Sequence, residues 1–116
     1  MRLAVVVPFL FLWACSERPA PALGGDPERG RLLLRQFACG SCHSIPGVAA
    51  ATGKVGPPLN GIAQRVYLAG ALPNTPQNMA AFIRAPHEVD PRTAMPAMGV
   101  TEEHARDMVA YLYTLQ

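Results

Sequence analysis

The sequence has little lysine, few aromatic residues and few cysteines. Lys54 is the only lysine among 116 residues, aromatic residues make up 7%, and there are three cysteines. The formal net charge is only +2, and the sequence has no cluster of basic residues that would bind a phosphate backbone. Nucleic acid is therefore not an expected partner. Three cysteines cannot build a disulfide framework. No segment alternates apolar and polar residues with period two, so we expect no substantial sheet.

No apolar run in the sequence is long enough to cross a membrane. The uncharged apolar run from Leu3 to Ala14 falls well short of the roughly 20 residues that a spanning helix needs. Placed behind Arg2, it predicts a secretory signal at residues 1–14 and a location outside the cytoplasm, such as the periplasm. Leu12-Trp13-Ala14-Cys15 resembles a lipobox, which would make a lipid-modified Cys15 the mature terminus. Ala20-Pro21-Ala22 is a rival cleavage site that would remove Cys15.

Proline, glycine and capping residues divide the rest of the chain. Residues 15–25 are rich in proline and glycine and predict a flexible tether, which leaves residues 26–116 as one domain. Asp26 and Pro27 begin a predicted helix that runs toward Phe37 and delivers Cys39 at its end.

Further helices are predicted later in the chain. Asn74-Thr75-Pro76 begins a helix that turns Met79, Phe82 and Ile83 inward, and Thr101 begins a last helix with apolar residues at helical spacing. A short helical segment is expected over residues 62–68, with loops at residues 44–60 and, because of three prolines, at residues 86–96. The predicted class is all-α: three to five short helices joined by long loops.

The stretch Cys39-Gly40-Ser41-Cys42-His43 carries the most chemical information. The C-x-x-C-H spacing is typical of covalent haem attachment. Residues three apart on a helical turn lie on one face, so both sulfurs can bond the two vinyl groups along one edge of the porphyrin. His43 can then ligate the iron. We therefore predict one haem c, attached through Cys39 and Cys42.

Two other sites could use the same residues. A thiol–disulfide oxidoreductase would use Cys39 and Cys42, with His43 lowering a thiol pKa, but such folds need a βαβ pattern that is missing. A zinc module would need a fourth ligand at customary spacing.

A six-coordinate iron needs a second axial ligand, and the sequence offers several. Met79 and Met108 belong to apolar helical stripes and are predicted to fill the core. His87 and His104 are predicted to be solvated. Met95 and Met98 lie in the proline-rich loop, and Met95, directly before Pro96, is the favoured ligand. A thioether on a stiff loop suits an electron carrier because its geometry changes little between the ferric and ferrous states, and a thioether opposite an imidazole also raises the reduction potential. The remaining candidates are Met98, His87, His104, Met79 and Met108.

These motifs together resemble class I cytochrome c. The resemblance covers residues 26–116 and rests on Cys39 to His43, Gly56 to Gly61, Met95-Pro96 and Ala110-Tyr111-Leu112. The run Leu72 to Pro76 and the loop leading into a glutamate-rich helix are similar to the cytochrome c domain fused to subunit II of terminal oxidases.

The resemblance implies further roles for individual residues. The Pro57 carbonyl would accept a hydrogen bond from the His43 ring, Leu59 would pack on the haem, and Arg65 would meet a haem propionate. Gly30 would let the first helix approach the last one at Tyr111. Two residues depart from the family: Phe82 stands where related domains often have Trp, and Leu34 where an aromatic residue is common in the first helix.

The expected function is one-electron transfer between redox proteins by a monomer that is not an enzyme. Expected partners are a quinol-oxidising complex, a dehydrogenase or a terminal oxidase, which would dock on the apolar loop of residues 45–51. A ligand-binding haem protein is the alternative should Met95 be labile. We also expect the haem to supply much of the core, since on the order of 500 Å² of apolar surface stabilises by up to roughly 12 kcal/mol.

Overall fold

The helices begin where the capping residues place them. The computed structural model describes residues 18–116, and within that range it contains four α-helices and one two-stranded ribbon. The helices are α1 (Pro27–Gln36), α2 (Pro76–Arg84), α3 (Pro86–Val89) and α4 (Glu102–Leu112); the strands are β1 (Tyr67–Leu68) and β2 (Leu72–Pro73); single 3-10 turns cover Ala22–Gly24, Cys39–Ser41 and Ile62–Gln64. The predicted all-α class with long loops is confirmed.

Side-chain caps explain the three longer helices. The Asp26 carboxylate accepts hydrogen bonds from the backbone N–H groups of Glu28 and Arg29 at 3.0 and 3.1 Å. The hydroxyls of Thr75 and Thr101 accept in the same way from the third residue of α2 and of α4, each at 3.1 Å. Each cap satisfies an N–H group that has no partner inside its helix. The predicted starts of these helices are therefore confirmed.

Helices α1 and α4 cross in close contact and organise the core. A Cβ added to Gly30 would lie closer than 3.0 Å to the carbonyl oxygen of Asp107, so the two backbones touch at this point. The expected contact of Gly30 with Tyr111 is wrong: the crossing lies one helical turn earlier. The buried apolar residues around it are Leu33, Leu34, Ile45, Val48, Ala51, Ile62, Leu68, Met79, Val100, Ala105, Met108, Val109, Ala110, Tyr111 and Leu112.

A buried carboxylate ties the start of α1 to α4. Asp107 is 2% exposed, and its oxygens accept from the Asp26 backbone N–H at 2.8 Å and from Arg29 Nε at 2.5 Å. The Arg29 guanidinium also donates to Glu103 at 2.8 Å. Burial opposes the charged form, but the Asp26 N–H and the Arg29 guanidinium outweigh it and lower the pKa of Asp107 below its ordinary value of 3.8. The carboxylate is therefore charged wherever the protein is neutral or mildly acidic.

Replacing this carboxylate is expected to weaken the crossing in a pH-dependent way. Because the folded-state pKa is lowered, the stabilisation is present above the unfolded pKa and is lost as pH falls through the folded value, below about pH 4. Asp107→Asn should therefore lower the free energy of unfolding by about 1–2 kcal/mol at pH 7, and by less at pH 3. Urea unfolding of the haem-loaded proteins at both pH values measures this, with exposed Glu88→Gln, outside the ion pairs of Arg29, as the control. An equal loss at both pH values would contradict the assignment.

Two segments differ from their predicted structure. The helical segment expected over residues 62–68 ends at Gln64, where Arg65 takes an extended conformation. Ala69 and Gly70, with positive φ angles of 47° and 78°, then turn the chain back as a short hairpin. Within it, Leu68 pairs with Leu72. The loop predicted at residues 86–96 begins instead with α3, since Pro86 is fully buried and suited to a first helical turn.

The last part of the predicted tether is packed structure. The turn Ala22–Gly24 lies against α4, and Leu23 contacts the core with a φ of 55°. A Cβ on Gly25 would lie 2.7 Å from the carbonyl carbon of Arg106, so only glycine allows this approach. The proposed signal at residues 1–14 and Cys15 lie outside the described residues. None of the helices described is long and apolar enough to span a bilayer.

Candidate haem-binding site

Cys39 and Cys42 lie on one tight turn directly after α1. Ala38 takes a left-handed conformation, with φ 55°, which ends the helix and starts the 3-10 turn Cys39–Ser41. The backbone N–H groups of Cys42 and His43 both donate to the Cys39 carbonyl, at 3.2 and 3.0 Å. Both thiols are free and half-buried. The two sulfur-bearing residues and His43 thus share one backbone turn, which we call the attachment turn (residues 39–43).

Three glycines let neighbouring backbone pack against the attachment turn. A Cβ on Gly40 would lie 2.6 Å from the Cα of Ala51, and a Cβ on Gly53 would lie 2.5 Å from the backbone of Cys42. Gly53 also donates its N–H to the Gly40 carbonyl at 3.0 Å, and Gly56 donates to the Cys42 carbonyl at 2.8 Å. The loop of residues 51–56 therefore fixes the turn from one side.

The His43 ring is oriented by the residues that follow this loop. Its Nδ1 lies 2.7 Å from the carbonyl oxygen of Pro57, as the family resemblance implies. A carbonyl oxygen only accepts, so Nδ1 carries the proton and donates, which leaves the lone pair of Nε2 as a metal ligand. Gly56 lies against the same ring. The tautomer and direction of the imidazole are thus set by the protein.

Gly56 gives a direct test of this orientation. A Cβ at this position would lie 2.7 Å from Nδ1 and 2.9 Å from Nε2 of His43. Gly56→Ala should therefore displace the ring, weaken its bond to Pro57 and lower the stability of the haem-loaded protein by about 1–3 kcal/mol. The visible spectrum and the reduction potential report the ring movement. Gly70→Ala is the control for the spectrum and the reduction potential, since nothing lies within 4 Å of its added Cβ, although its φ of 78° costs an alanine some stability. An unchanged potential in Gly56→Ala would contradict this account.

Leu59 and Arg65 lie on the segment that continues from Pro57. Leu59 is half-buried against the core, and its N–H donates to the Ser44 carbonyl at 2.8 Å, just after the attachment turn. Arg65 donates from Nη2 to the carbonyl of Pro58. One donor of the guanidinium is thereby used, and four N–H groups remain for an anion such as a propionate.

Sequence reasoning did not identify the role of Asn74. Its side-chain NH₂ donates to the carbonyls of Ile62 and Arg65 at 2.9 and 2.8 Å, and its oxygen accepts from the Tyr113 hydroxyl at 2.8 Å. Asn74 therefore fixes the backbone of Arg65 to the end of α4. The capping pattern gave no signal of this, because Asn74 and Thr75 are equally good capping residues and only the structure shows that Thr75 is the cap.

Met95 lies in a loop that is fixed at both ends. Its N–H donates to the Thr93 hydroxyl at 3.2 Å, and Thr93 donates its N–H to Asp90 at 3.0 Å. Val100, at the other end, is buried. Met95 is half-buried whereas Met98 is 45% exposed.

The other candidate ligands are distributed as follows. Met79 and Met108 are 3% and 0% exposed and belong to the core, as expected, and His87 is exposed. The expectation of a solvated His104 is wrong. Its ring packs edge-on against Phe37 with centroids 5.7 Å apart, and its Nδ1 is buried with no partner among the described residues.

The loop of residues 45–51 offers only part of the docking surface predicted for it, since Pro46, Ala49 and Ala50 are exposed but its larger side chains are not. Ile45, Val48 and Ala51 are 2%, 8% and 6% exposed, because they form part of the core beside α4. The Tyr111 hydroxyl donates to the Pro46 carbonyl at 2.6 Å and fixes the loop there. Its larger apolar side chains therefore cannot contact a partner.

The donor groups fit a covalently attached haem and not the two rival sites. Two thiols on one turn and an oriented imidazole are what thioether attachment and axial ligation require. Burial raises the pKa of Cys39 above its usual value, whereas a redox-active thiol needs a lowered pKa. Within residues 18–116, no three His, Cys, Asp or Glu side chains converge as a metal cluster would require.

Comparisons with known proteins agree with this site. Residues 25–112 match the family model described as cytochrome c oxidase, cbb3-type, subunit III. The chain is 31% identical over 101 residues to cytochrome c oxidase subunit 2 of Alkalihalophilus pseudofirmus. The matched region is 86% of this chain but only 28% of that relative's length. It is also 31% identical over 106 residues to cytochrome c2 of Agrobacterium tumefaciens, covering 76% of the chain and 90% of the relative. The chain therefore belongs to the cytochrome c family and is a small c-type cytochrome.

Proposed function

We propose that this protein is an exported one-electron carrier with a single haem c, bonded to Cys39 and Cys42 and ligated by His43 and Met95. The observation that carries the proposal is the 2.7 Å contact between His43 Nδ1 and the Pro57 carbonyl. It supports ligation by His43, because it orients the imidazole beside two cysteines on the same turn and leaves the lone pair of Nε2 for a metal. Domains of the cytochrome c family are electron carriers and not enzymes, and the proposal is consistent with this.

The protein's own groups make rapid electron transfer reasonable. The haem iron supplies the one-electron ferric–ferrous couple. His43 is fixed by Pro57 and Gly56, and Met95 by Thr93 and a loop anchored at Val100, so little has to move when the charge changes. Arg65, whose remaining N–H groups are available, would pair with a propionate.

The sequence and the relatives support a proposal for the location and the partners. Residues 1–14 would export the chain and Cys15 would carry a lipid, which places the monomer outside the cytoplasm at a membrane surface. A relative is an oxidase subunit, which supports a terminal oxidase as one partner. A quinol-oxidising complex or a dehydrogenase would supply the electron.

One set of spectra tests the haem assignment. Protein matured in a host competent for haem c should show a reduced-minus-oxidised visible spectrum and a pyridine haemochrome typical of two thioether bonds. The pigment should stay with the polypeptide in acidified acetone. Loss of pigment to the solvent would overturn covalent attachment, and mass spectrometry of the same sample locates the mature terminus and any lipid at Cys15.

The axial thioether has its own test. Met95→Ala should abolish the weak near-infrared sulfur-to-iron band of the ferric protein and open the reduced iron to carbon monoxide. The reduction potential should fall by on the order of 0.1 V, within the roughly 0.8 V range that axial ligands cover. Met98→Ala is the matched control and should leave all three properties unchanged. A band that persists in Met95→Ala and disappears in Met98→Ala would transfer the role to Met98.

A further inference from the structure

A groove lies between α2, α4 and the 3-10 turn Ala22–Gly24, which we call the N-terminal turn, and the function proposed above makes no use of it. Its volume is about 350 Å³. The lining combines the apolar side chains of Leu23, Ala80 and Ala81 with the exposed side chains of Arg84 and Arg106. An apolar surface beside two guanidinium groups suits a ligand with both an anionic and an apolar part.

The charge of the groove is positive. Against its two arginines stands one carboxylate, that of Glu102. The salt bridges found within residues 18–116 involve neither Arg84 nor Arg106. Arg18 is a third exposed cation, on the chain that leads to the N-terminal turn. These cations are therefore available to an anionic surface.

The N-terminal turn also fixes how far the groove can be from Cys15. The eight residue steps from Cys15 to Leu23 span at most about 29 Å when fully extended. Leu23 itself is packed against the core, and Gly25 allows the turn to touch the backbone of Arg106. A lipid on Cys15 would therefore keep this groove close to the membrane surface.

The groove lies on the opposite side of α4 from the contacts near the attachment turn. At about 100° per residue, His104 and Tyr111 lie roughly 160–180° around the helix from the face shared by Glu102 and Arg106. His104 contacts Phe37, and Tyr111 bonds to Pro46, on either side of residues 39–43 in sequence. A membrane on the groove side would leave the other side open to a partner.

We propose that this groove binds the headgroup of an anionic phospholipid at the membrane surface and so orients the tethered domain. The proposal rests on the lipid anchor proposed at Cys15. Arg84 and Arg106 pair with the phosphate, and Leu23, Ala80 and Ala81 contact the apolar atoms beside it. The lipid at Cys15 keeps the domain near the membrane, and headgroup binding in the groove orients the domain relative to it.

The test measures binding to vesicles without the covalent anchor. Haem-loaded protein of residues 16–116, exported behind a cleavable signal that leaves no lipid, is sedimented with vesicles of phosphatidylcholine alone, or of phosphatidylcholine and phosphatidylglycerol in equal parts. Binding is expected only to the second. Arg84→Gln with Arg106→Gln should weaken it about 25-fold, at about fivefold for each arginine near the surface. Arg35→Gln with Arg92→Gln removes the same charge from exposed sites outside the groove and should weaken it by less than about fivefold.

Several outcomes would overturn the proposal. Equal losses in the two double variants would mean diffuse attraction, and no loss in either would exclude the groove. Displacement by millimolar inorganic phosphate would identify a free anion as the ligand. The visible spectrum, recorded on each variant, tests the haem separately, and mass spectrometry of the unsubstituted protein tests the anchor. Failure of vesicle binding can thus be told apart from failure of the proposed function.

Discussion

Gly30→Ala is expected to destabilise the haem-loaded protein by about 3 kcal/mol or more, among the largest losses for a single methyl group. The added Cβ would meet the Asp107 carbonyl oxygen at less than 3.0 Å, and the Asp107 carbonyl carbon and the Met108 nitrogen lie almost as near. These are backbone atoms of a helix and cannot rotate away. The whole crossing of α1 and α4 would have to open, with Leu33, Leu34 and the residues around Met108 losing contact.

Guanidinium unfolding followed by circular dichroism measures this loss. The matched control is Gly70→Ala, where the φ of 78° strains an alanine but nothing lies within 4 Å of the new Cβ. That strain should cost about 1–2 kcal/mol. A loss in Gly30→Ala no greater than that in Gly70→Ala would show that the helices can separate cheaply, and the crossing would not be the centre of the fold.

The helix starts could be predicted because their causes are local. Asp26, Thr75 and Thr101 each accept from N–H groups two or three residues ahead, so the sequence pattern contains the whole interaction. The attachment turn is equally local, since the spacing from Cys39 to His43 is set within five positions. The site could therefore be identified from one pentapeptide, and the fold class followed from spacing and capping.

The errors concern contacts between distant parts of the chain. Gly30 was correctly expected to meet the last helix, but the sequence cannot say which turn of α4 it meets. His104 was expected in solvent, since its own helix position is polar; Phe37, far away in sequence, covers it. The loop of residues 45–51 is apolar because it belongs to the core, a reason that composition cannot distinguish from docking. In each case the deciding partner is remote.

Tertiary strain explains the segments whose backbone departs from prediction. Leu23, Ala38 and Ala69 all adopt positive φ angles without being glycine, which is unfavourable in isolation. At Ala38 this conformation ends α1 and begins the attachment turn, and at Ala69 it turns the hairpin that carries Tyr67. Such conformations persist only where surrounding packing requires them. Local propensity therefore gave no warning of the packed turn at Leu23 or of the hairpin at Ala69, whereas the end of the first helix before Cys39 was predicted.

Removing both attachment cysteines is expected to abolish cooperative folding. In Cys39→Ala with Cys42→Ala, after extraction of any loosely bound haem, we expect weak helicity and a broad urea transition. The reason is that apolar contact with a haem is worth up to roughly 12 kcal/mol, as much as the whole stability of about 5–15 kcal/mol of an ordinary domain. Helices α1 and α4 have a shared core, but residues 44–75 contain only one 3-10 turn, one isolated bridge between Ser44 and Thr52, and a ribbon of two two-residue strands.

Cys15→Ser is the matched control, since it removes a cysteine that is not part of the attachment turn. It should keep its haem and unfold in one sharp transition. Far-ultraviolet circular dichroism during urea unfolding distinguishes the two proteins. A sharp transition and native helicity in the haem-free double variant would show that the crossing of α1 and α4 folds by itself. The haem would then bind to a fold that forms without it. The long loops around Pro57 and Met95 would be ordered by contacts within the polypeptide alone.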